Sequence, residues 1–378
     1  MVKNMMLNIM KSKAVLFLLL FYSTLLIAQK QIKDTISFRN DLGLIIVPIQ
    51  FNGVEKNFIF DTGASVSVGF SWIKEELVKT SKTLKITSSS RKKSRLRYYK
   101  SDSINLASAR ITKHRILATN DSDIFSCYNI DGVLGVDIIA EFNWIINYDK
   151  KYLIMYNKDF FPENLKKMHS VDFDYDKRRP YAYLNFGNER LRFLLDTGAT
   201  FSDIYLKDYS RIQNTSHTKR EAYNGFFDFT GTLNKSKSSI MRFPIVTTKD
   251  ININGIFDFS KKSSKIGNSL WKNNTLFLSL NSDMLYTSLK EIKELRKGYG
   301  CAFVYDNNKI TVVKVVVDSQ AWEQGLRQGD AIQMINGKTF EDFCSLQKFQ
   351  KETSNQGIDL AITLKDGAVI VLKKKKVL

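Results

Sequence analysis

Two aspartates stand in nearly identical segments of this 378-residue chain. The sequence FIFDTGAS at residues 58–65 recurs as FLLDTGAT at residues 193–200, so Asp61 and Asp196 are 135 positions apart. If the two segments meet, their carboxyls cannot both ionise readily and will share one proton. The ionised carboxyl can then take a proton from water while the protonated one donates to a carbonyl oxygen. The motif therefore predicts hydrolysis by a water nucleophile, with no covalent intermediate.

The repeat extends well beyond these two motifs. Two further pairs of segments correspond, residues 109–123 with 238–252 and residues 131–156 with 263–286. Short apolar runs between clusters of Asn, Asp, Gly and Ser predict β-strands. Asn52-Gly53 and Gly187-Asn188 separate two such runs before each motif, which is typical of hairpin turns. We therefore predict two mainly β lobes, at 30–157 and 165–288, whose pseudo-twofold axis brings the two aspartates together.

A third unit follows the second lobe. Residues 289–297 (LKEIKELRK) are predicted to form a short linker helix. In the remaining residues, 298–378, Gly325 predicts the end of a short helix and Asn336-Gly337 a hairpin turn. A helix at about 341–351 is expected next, and a closing strand pair after it. The third unit is therefore predicted to combine strands with helices.

The repeated motif resembles the active-site motif of aspartic peptidases of the retropepsin and pepsin type. Each copy of Asp-Thr-Gly follows three apolar residues and precedes Ala-Ser or Ala-Thr. The resemblance is closest to bacterial retropepsin-like proteins that carry two lobes in one chain, and it covers both lobes. It implies a mainly β fold of two pseudo-symmetric acid-protease lobes. It also implies an aspartic endopeptidase whose catalytic pair is Asp61 and Asp196.

The same resemblance implies supporting roles for the residues after each aspartate. These are a pair that hydrogen-bonds across the lobes (Thr62 and Thr197), a pair that offers N–H groups to the carboxylates (Gly63 and Gly198), and a pair that hydrogen-bonds the outer carboxylate oxygens (Ser65 and Thr200). The apolar-Gly segments 134–135 and 266–267 would pack behind the two active-site loops. Such enzymes close a hairpin flap over the substrate. Tyr223 and Gly225 are the flap candidates in lobe 2, whereas residues 86–104 of lobe 1 contain no glycine and offer no candidate.

The third unit resembles a PDZ domain, and the resemblance implies a small β-barrel with helices. Residues 319–337 follow the pattern S-x-A-x-x-x-G-L-x-x-G-D-x-I-x-x-I-N-G throughout. PDZ domains add an extended peptide to a sheet edge, and a loop of backbone N–H groups holds the terminal carboxylate. The candidate loop contains Tyr299, Gly300 and Cys301. The resemblance implies recruitment of a peptide or protein C-terminus, and a PDZ fold that only docks against the lobes is the alternative.

The amino terminus predicts export. Residues 1–28 lack acidic residues, and three lysines precede an apolar run of 15 residues that ends at Ala28. This run suits a signal peptide, whose apolar core is roughly 7–15 residues, better than a spanning helix, which needs about 20. We expect a periplasmic or extracellular protein, and an uncleaved membrane anchor is the alternative. Three cysteines leave at least one thiol unpaired, and all three are expected to be ordinary buried residues.

The net charge and the absence of certain motifs limit the range of possible functions. The net charge of +19 suits an enzyme acting on acidic substrates, a binder of anionic surfaces or a nucleic-acid binder. Export argues against nucleic acid, and the basic run 91–100 is more commonly a solvated hairpin. No cofactor or metal is expected, because no P-loop, dinucleotide fingerprint or metal-ligand spacing occurs. The interpretation is an exported aspartic endopeptidase acting on polypeptides. The alternatives are a non-catalytic peptide-binding scaffold and an adaptor for anionic surfaces.

Overall fold

The computed structural model describes residues 33–88, 93–121, 123–199, 204–206, 212, 218–227, 233–259, 264–293, 297–306 and 308–376. In these ranges the chain is mainly β, with only short helices apart from one, which confirms the predicted fold class. No helix of the described ranges is long and apolar enough to span a membrane. The predicted signal peptide, residues 1–28, lies outside them.

The first lobe alternates short strands with tight turns. Its elements are β1 (Lys33–Ser37), β2 (Ile46–Phe51), β3 (Val54–Phe60), β4 (Val68–Gly69), α1 (Ile73–Glu76), β5 (Val78–Thr87), β6 (Lys93–Lys100), β7 (Ser103–Leu106), β8 (Ala109–Thr112), β9 (Arg115–Ala118), α2 (Asp123–Ser126), β10 (Gly132–Leu134), α3 (Val136–Ile139), β11 (Phe142–Asn147) and β12 (Tyr152–Asn157). Asn52 and Gly53 both have positive φ, 49° and 88°, as the two-residue turn between β2 and β3 requires. This turn fixes the register that delivers Asp61 to the end of β3.

A 3-10 helix (Glu163–Lys167) connects the first lobe to the second, which repeats its plan. The second lobe contains β13 (His169–Ser170), β14 (Phe173–Asp176), β15 (Arg179–Phe186), β16 (Glu189–Leu195), β17 (Ile204–Leu206), β18 (Thr218–Phe227), β19 (Leu233–Thr248), β20 (Ile251–Phe259), β21 (Lys265–Ile266), a 3-10 helix (Asn268–Trp271), β22 (Thr275–Ser279) and β23 (Met284–Thr287). Gly187, at φ 61°, forms the turn between β15 and β16. The β16 strand therefore delivers Asp196 as β3 delivers Asp61.

One six-stranded sheet joins the lobes, in the order β1-β12-β11-β22-β23-β13. At its centre β11 of lobe 1 pairs antiparallel with β22 of lobe 2, with Ile145 opposite Phe277. Trp144 and Trp271 are fully buried in a core that is continuous across both lobes. The shared sheet and core fix how the two Asp-Thr-Gly segments face each other.

The segment predicted as a linker helix at 289–297 is different in the structure. Strand β24 (Glu291–Lys293) runs parallel to β20, with Ile292 opposite Ile253, and Ile292 is buried. Residues 294–296 lie outside the described ranges. The helical prediction for the described part is wrong because pairing with an open strand edge and burial of Ile292 override local helix propensity.

The third unit consists of β25 (Lys297–Gly298), β26 (Cys301–Asp306), β27 (Lys309–Val316), α4 (Gln320–Glu323), β28 (Ala331–Ile335), α5 (Phe343–Gln356), β29 (Leu360–Leu364), β30 (Val369–Leu372) and β31 (Lys375–Lys376). The expected helix and closing strand pair are both present. Asp342 caps the start of helix α5, where its carboxylate accepts the Ser345 N–H at 2.6 Å, and Gly357, which is left-handed, caps its end. The unit has its own apolar core.

The third unit is docked on both lobes. Strand β27 pairs with β18 of lobe 2, so that Tyr223 lies opposite Val315. On the other side, Val304 and Val313 share an apolar cluster with Val133 and Ala64 of lobe 1. Ala64 belongs to the first Asp-Thr-Gly-Ala segment and Val133 to β10 beside it. This apolar cluster therefore connects the third unit with the loop that carries Asp61.

A disulfide reinforces this docking. Cys127, after α2 of lobe 1, is bonded to Cys344 in α5, 217 positions along the chain. The expectation that all three cysteines are ordinary buried residues is wrong for these two, which form a disulfide. Only tertiary packing brings together residues so distant in sequence. Among the described residues, Cys301 is the free cysteine, and burial raises the pKa of its thiol to about 12.

We expect the Cys127→Ser/Cys344→Ser double variant to lower the free energy of unfolding by about 2–4 kcal/mol, because the cross-link closes a long loop. Denaturant unfolding with and without reductant measures this loss. Reductant should destabilise the wild type to the same extent and leave the double variant unchanged. Equal stability of the wild type in both conditions would contradict the assignment of a structural role to this disulfide.

Candidate active site

Each aspartate is held at the end of a strand by an equivalent backbone arrangement. In lobe 1, β3 pairs parallel with β10, and the Asp61 N–H donates to the Leu134 carbonyl at 3.0 Å. In lobe 2, β16 pairs parallel with β21, and the Asp196 N–H donates to the Ile266 carbonyl at 2.9 Å. Of the six apolar strand residues that precede the two motifs, all but the half-buried Leu194 are buried, and the first polar side chain stands at the turn. The sequence repeat is thus also a structural repeat.

Four hydrogen bonds between two threonines and the opposite lobe lock these turns together. The Thr62 N–H donates to Thr197 Oγ1 at 2.9 Å, and the Thr197 N–H donates to Thr62 Oγ1 at 3.1 Å. The Thr62 hydroxyl donates to the Leu195 carbonyl and the Thr197 hydroxyl to the Phe60 carbonyl, both at 2.6 Å. Both threonines are 1% exposed. Because buried hydroxyls are costly when unpaired, this reciprocal network holds the loops in one relative position.

The two carboxyls meet at the centre of this network. Each carboxyl lies against the glycine of the opposite motif, and the charge of Asp196 acts on Asp61. The Gly63 N–H donates to Asp61 Oδ1 at 2.7 Å, and the Gly198 N–H donates to Asp196 Oδ1 at 3.1 Å. Burial and then the charge of Asp196 raise the pKa of Asp61 to about 7. At neutral pH the pair can therefore hold one proton between two carboxyls.

The glycine of each motif leaves room for the carboxyl of the opposite motif, where a side chain would overlap it. A Cβ on Gly63 would lie 2.5 Å from Asp196 Cγ, and a Cβ on Gly198 would lie 2.5 Å from Asp61 Cγ. Neither glycine has a positive φ, so the constraint is the close approach and not the backbone conformation. Any larger residue at either position has to displace a carboxyl.

A lysine that the sequence analysis did not single out also reaches the pair. Lys265 Nζ lies 3.0 Å from Asp196 Oδ2, and the two side chains are only 18% and 13% exposed. Lys265 pairs with Leu194 in the parallel β16/β21 ladder, as Val133 pairs with Ile59 in lobe 1. Its position directly before the Ile266-Gly267 segment is a signal that alignment of the two repeats could have found.

Asn268 is a second residue that the sequence analysis missed. Its amide donates to the Thr197 carbonyl at 2.6 Å and to the Gly43 carbonyl of lobe 1 at 3.1 Å. Its carbonyl oxygen accepts the hydroxyl of buried Tyr148 at 2.7 Å. Asn268 therefore links the Asp196 loop to lobe 1 by hydrogen bonds that are additional to those of the two threonines.

The other predicted site residues lie elsewhere or outside the described ranges. Among the described contacts, Ser65 makes no hydrogen bond to either carboxyl, and Thr200 is outside the described residues. Tyr223 and Gly225 lie within β18, whose hairpin continues to Phe227, so they are not at a flap tip. Tyr223 stacks on Trp322 of the third unit at 6.1 Å between ring centroids. These flap candidates are thus engaged in docking the third unit, which the sequence of lobe 2 alone does not reveal.

In lobe 1 a glycine-free hairpin occupies the expected flap region. Strands β5 and β6 pair antiparallel from Val78 opposite Lys100 to Thr87 opposite Lys93. The tip between them, residues 89–92, lies outside the described ranges. The absence of glycine from residues 86–104 has therefore not prevented a long hairpin from forming there.

The predicted carboxylate loop lies at the start of β26. Gly300 has φ 75°, and a Cβ there would collide with the Ser319 side chain, so glycine is needed twice over. The Tyr299 hydroxyl donates to the Ile358 carbonyl, which follows helix α5. Cys301 pairs with Val315 of β27. The candidate carboxylate loop therefore lies between the C-terminal end of α5 and the start of β26.

Residues 47–138 match the family model described as an aspartyl protease. A search of curated proteins gave no match. The matched range contains Asp61, the β3 and β10 strands that position it, and the hairpin of β5 and β6, but not the second motif. The first lobe is therefore similar in sequence to aspartyl proteases, and this similarity supports a peptidase activity for the chain.

Proposed function

We propose that the chain is an exported aspartic endopeptidase that hydrolyses peptide bonds with water activated between Asp61 and Asp196. The observation that carries the proposal is the pair of adjacent carboxyls at the ends of two equivalent strands. The reciprocal threonine bonds and the aspartyl protease match over the first lobe support it. The substrate is an extended polypeptide lying between the lobes.

In the proposed reaction the pair begins with one proton. A water molecule lies between the carboxyls, loses a proton to the ionised one, and its oxygen forms a bond to the scissile carbonyl carbon. The carbonyl oxygen takes the proton of the other carboxyl, which gives a neutral tetrahedral diol. The carbon–nitrogen bond then breaks as the carboxyl that took the proton of the water passes it to the amine nitrogen, while a hydroxyl of the diol gives its proton to the other carboxyl. The products are an amine and a carboxylic acid, and the pair again holds one proton. No covalent bond to the protein forms.

We further propose that the third unit is a PDZ domain and that its peptide groove lies between β26 and α5. Gln350 of α5 occupies this edge, because its side chain accepts the Phe303 N–H at 3.4 Å and donates to the Phe303 carbonyl at 3.2 Å. A peptide strand would need these two backbone groups. Capture of a peptide or protein C-terminus therefore requires Gln350 to swing away, and docking on the lobes is the role that needs no rearrangement.

Export is supported by the Cys127–Cys344 disulfide as well as by the amino-terminal sequence. Disulfides persist in the periplasm and outside cells and are rare in reducing compartments. The proposed location is therefore periplasmic or extracellular, with retention by an uncleaved anchor as the alternative.

The proposed function is tested by incubating the chain from residue 29 onward with a diverse peptide library at several pH values between 3 and 8. We expect internal cleavage, with new amino and carboxyl termini identified by mass spectrometry. Release of single terminal residues only would contradict an endopeptidase, and no cleavage at any pH would contradict the peptidase proposal.

One observation favours a second candidate, a non-catalytic peptide-binding scaffold. Val304 and Val313 of the third unit share an apolar cluster with Ala64 of the Asp61 loop, so the third unit is docked on the lobe that carries this aspartate. Under this alternative the library peptides would bind without turnover, and binding would be unaffected by Asp61→Asn. The same assay, read for both binding and cleavage, separates the two candidates.

A further inference from the structure

Lys265 breaks the symmetry of the proposed dyad. The two lobes supply matching strands, turns, threonines and glycines, yet the equivalent strand positions hold Val133 in one lobe and Lys265 in the other. Val133 is buried in the apolar cluster shared with the third unit. Lys265 instead places an ammonium group 3.0 Å from Asp196 Oδ2. Of the two aspartates, Asp196 is the one within ion-pair distance in the described contacts.

We propose that Lys265 is a positioning residue that keeps Asp196 ionised and thereby leaves the shared proton on Asp61. This inference rests on the proposed function and deepens it, since it divides the roles within the pair. Asp196 becomes the base that takes the proton of the attacking water, and Asp61 becomes the acid that donates to the scissile carbonyl.

The electrostatics of the pair agree with this division. A half-buried ion pair is screened less than a surface pair, so the ammonium group favours the charged carboxylate that it contacts. Asp61 faces burial and the neighbouring charge of Asp196, and both raise its pKa. The Gly63 N–H and the more distant charge of Lys265 act in the opposite direction on the pKa of Asp61. Asp196 and Lys265 are the charged groups that act on Asp61 in the described part of the chain.

The sign of the expected effect follows from these contributions. Removing the positive charge of Lys265 removes an influence that lowers the pKa of Asp61, so the titration of Asp61 moves to higher pH. It also allows the proton to distribute over both carboxyls. We expect an upward shift of about one pH unit, the typical size for a nearby charge at a partly buried site.

The test compares Lys265→Met and Lys265→Gln, which remove the charge, with Lys265→Arg, which keeps it. Carboxyl carbon chemical shifts of the two aspartates, assigned with Asp61→Asn and Asp196→Asn, give the titrations without any substrate. The Met and Gln variants should shift the midpoint of Asp61 upward by about one unit. In these two variants the chemical shifts of both carboxyls should also change in the titration step at higher pH. Lys265→Arg should keep the titrations of the wild type. Unchanged titrations in both neutral variants would overturn the proposal.

The pH dependence of cleavage gives a second reading. If the wild type cleaves peptides, the alkaline limb of its rate profile should move with the Asp61 midpoint in the neutral variants and stay in place in Lys265→Arg. A titration shift in a protein that cleaves nothing would support the role of Lys265 and contradict the proposed function. Cleavage that depends on both aspartates, without any titration shift, would support the function and contradict the role of Lys265.

Discussion

Replacement of either aspartate by asparagine is expected to reduce peptide cleavage by at least about 1,000-fold. Asparagine keeps the shape of the side chain but cannot take a proton from water or donate an acidic proton to the carbonyl, and general acid–base catalysis of this kind contributes roughly 10²–10⁴-fold per group. If the two carboxyls share one proton, the Asp61→Asn/Asp196→Asn double variant should be no less active than either single variant. Steady-state rates on one cleaved library peptide measure all three. Substantial cleavage by either single variant would contradict a shared dyad.

The pH dependence of stability separates loss of chemistry from loss of fold. The pKa of Asp61 is raised from 3.8 to about 7, so the folded state keeps a proton that the unfolded chain releases. The contribution of this group to stability is therefore fully present below pH 3.8 and is lost as pH rises to about 7. The Asp61→Asn variant lacks this dependence. We expect it to be at least as stable as the wild type at pH 8, by denaturant unfolding.

Alanine at Gly63 or Gly198 is expected to lower the cleavage rate by about 100-fold or more, although both aspartates remain. The new methyl group would lie 2.5 Å from the Cγ of the opposite aspartate and has to push that carboxyl away from its partner. A displacement of about 1 Å at a reacting group can cost this much. The rate constant at saturating peptide concentration is the measurement, since the effect is on the chemistry and not on substrate affinity.

Gly367→Ala is the matched control. Gly367 has φ 86°, and a Cβ there would contact nothing within 4 Å, so the substitution strains the backbone without touching the dyad. It should lower the unfolding free energy and leave the cleavage rate unchanged. Equal rate losses in Gly63→Ala and Gly367→Ala would mean that the first effect comes from general destabilisation, contrary to the contact described here.

Local sequence signals correctly predict the strands and turns that position the two aspartates. The Asn52-Gly53 turn sets the register of β3, and the apolar run before Asp61 forces that residue to be the first polar side chain at the strand end. The repetition of both features in lobe 2 is enough to predict two equivalent lobes. The core pattern at 319–337 likewise places the short helix, turn and strand of the third unit correctly.

Features that depend on tertiary packing could not be predicted in this way. Lys265 is one residue in a basic chain, and only the β16/β21 pairing places it beside Asp196. Cys127 and Cys344 are joined because α5 docks on lobe 1, which no spacing rule specifies. Residues 291–293 form a strand because β20 offers an open edge, against their helix-forming composition. Tyr223 likewise contacts the third unit because β18 pairs with β27.

The most direct test of the central claim is the pH dependence of kcat/KM for one cleaved peptide, measured from pH 3 to pH 9. If Asp61 and Asp196 work as a pair with one shared proton, the profile should be bell-shaped. Each limb should fit the ionisation of a single group. The rate should fall above about pH 7 as Asp61 loses its proton. A rate that stays constant up to pH 9 would contradict the shared-proton dyad, because it would mean that catalysis proceeds with both carboxyls ionised.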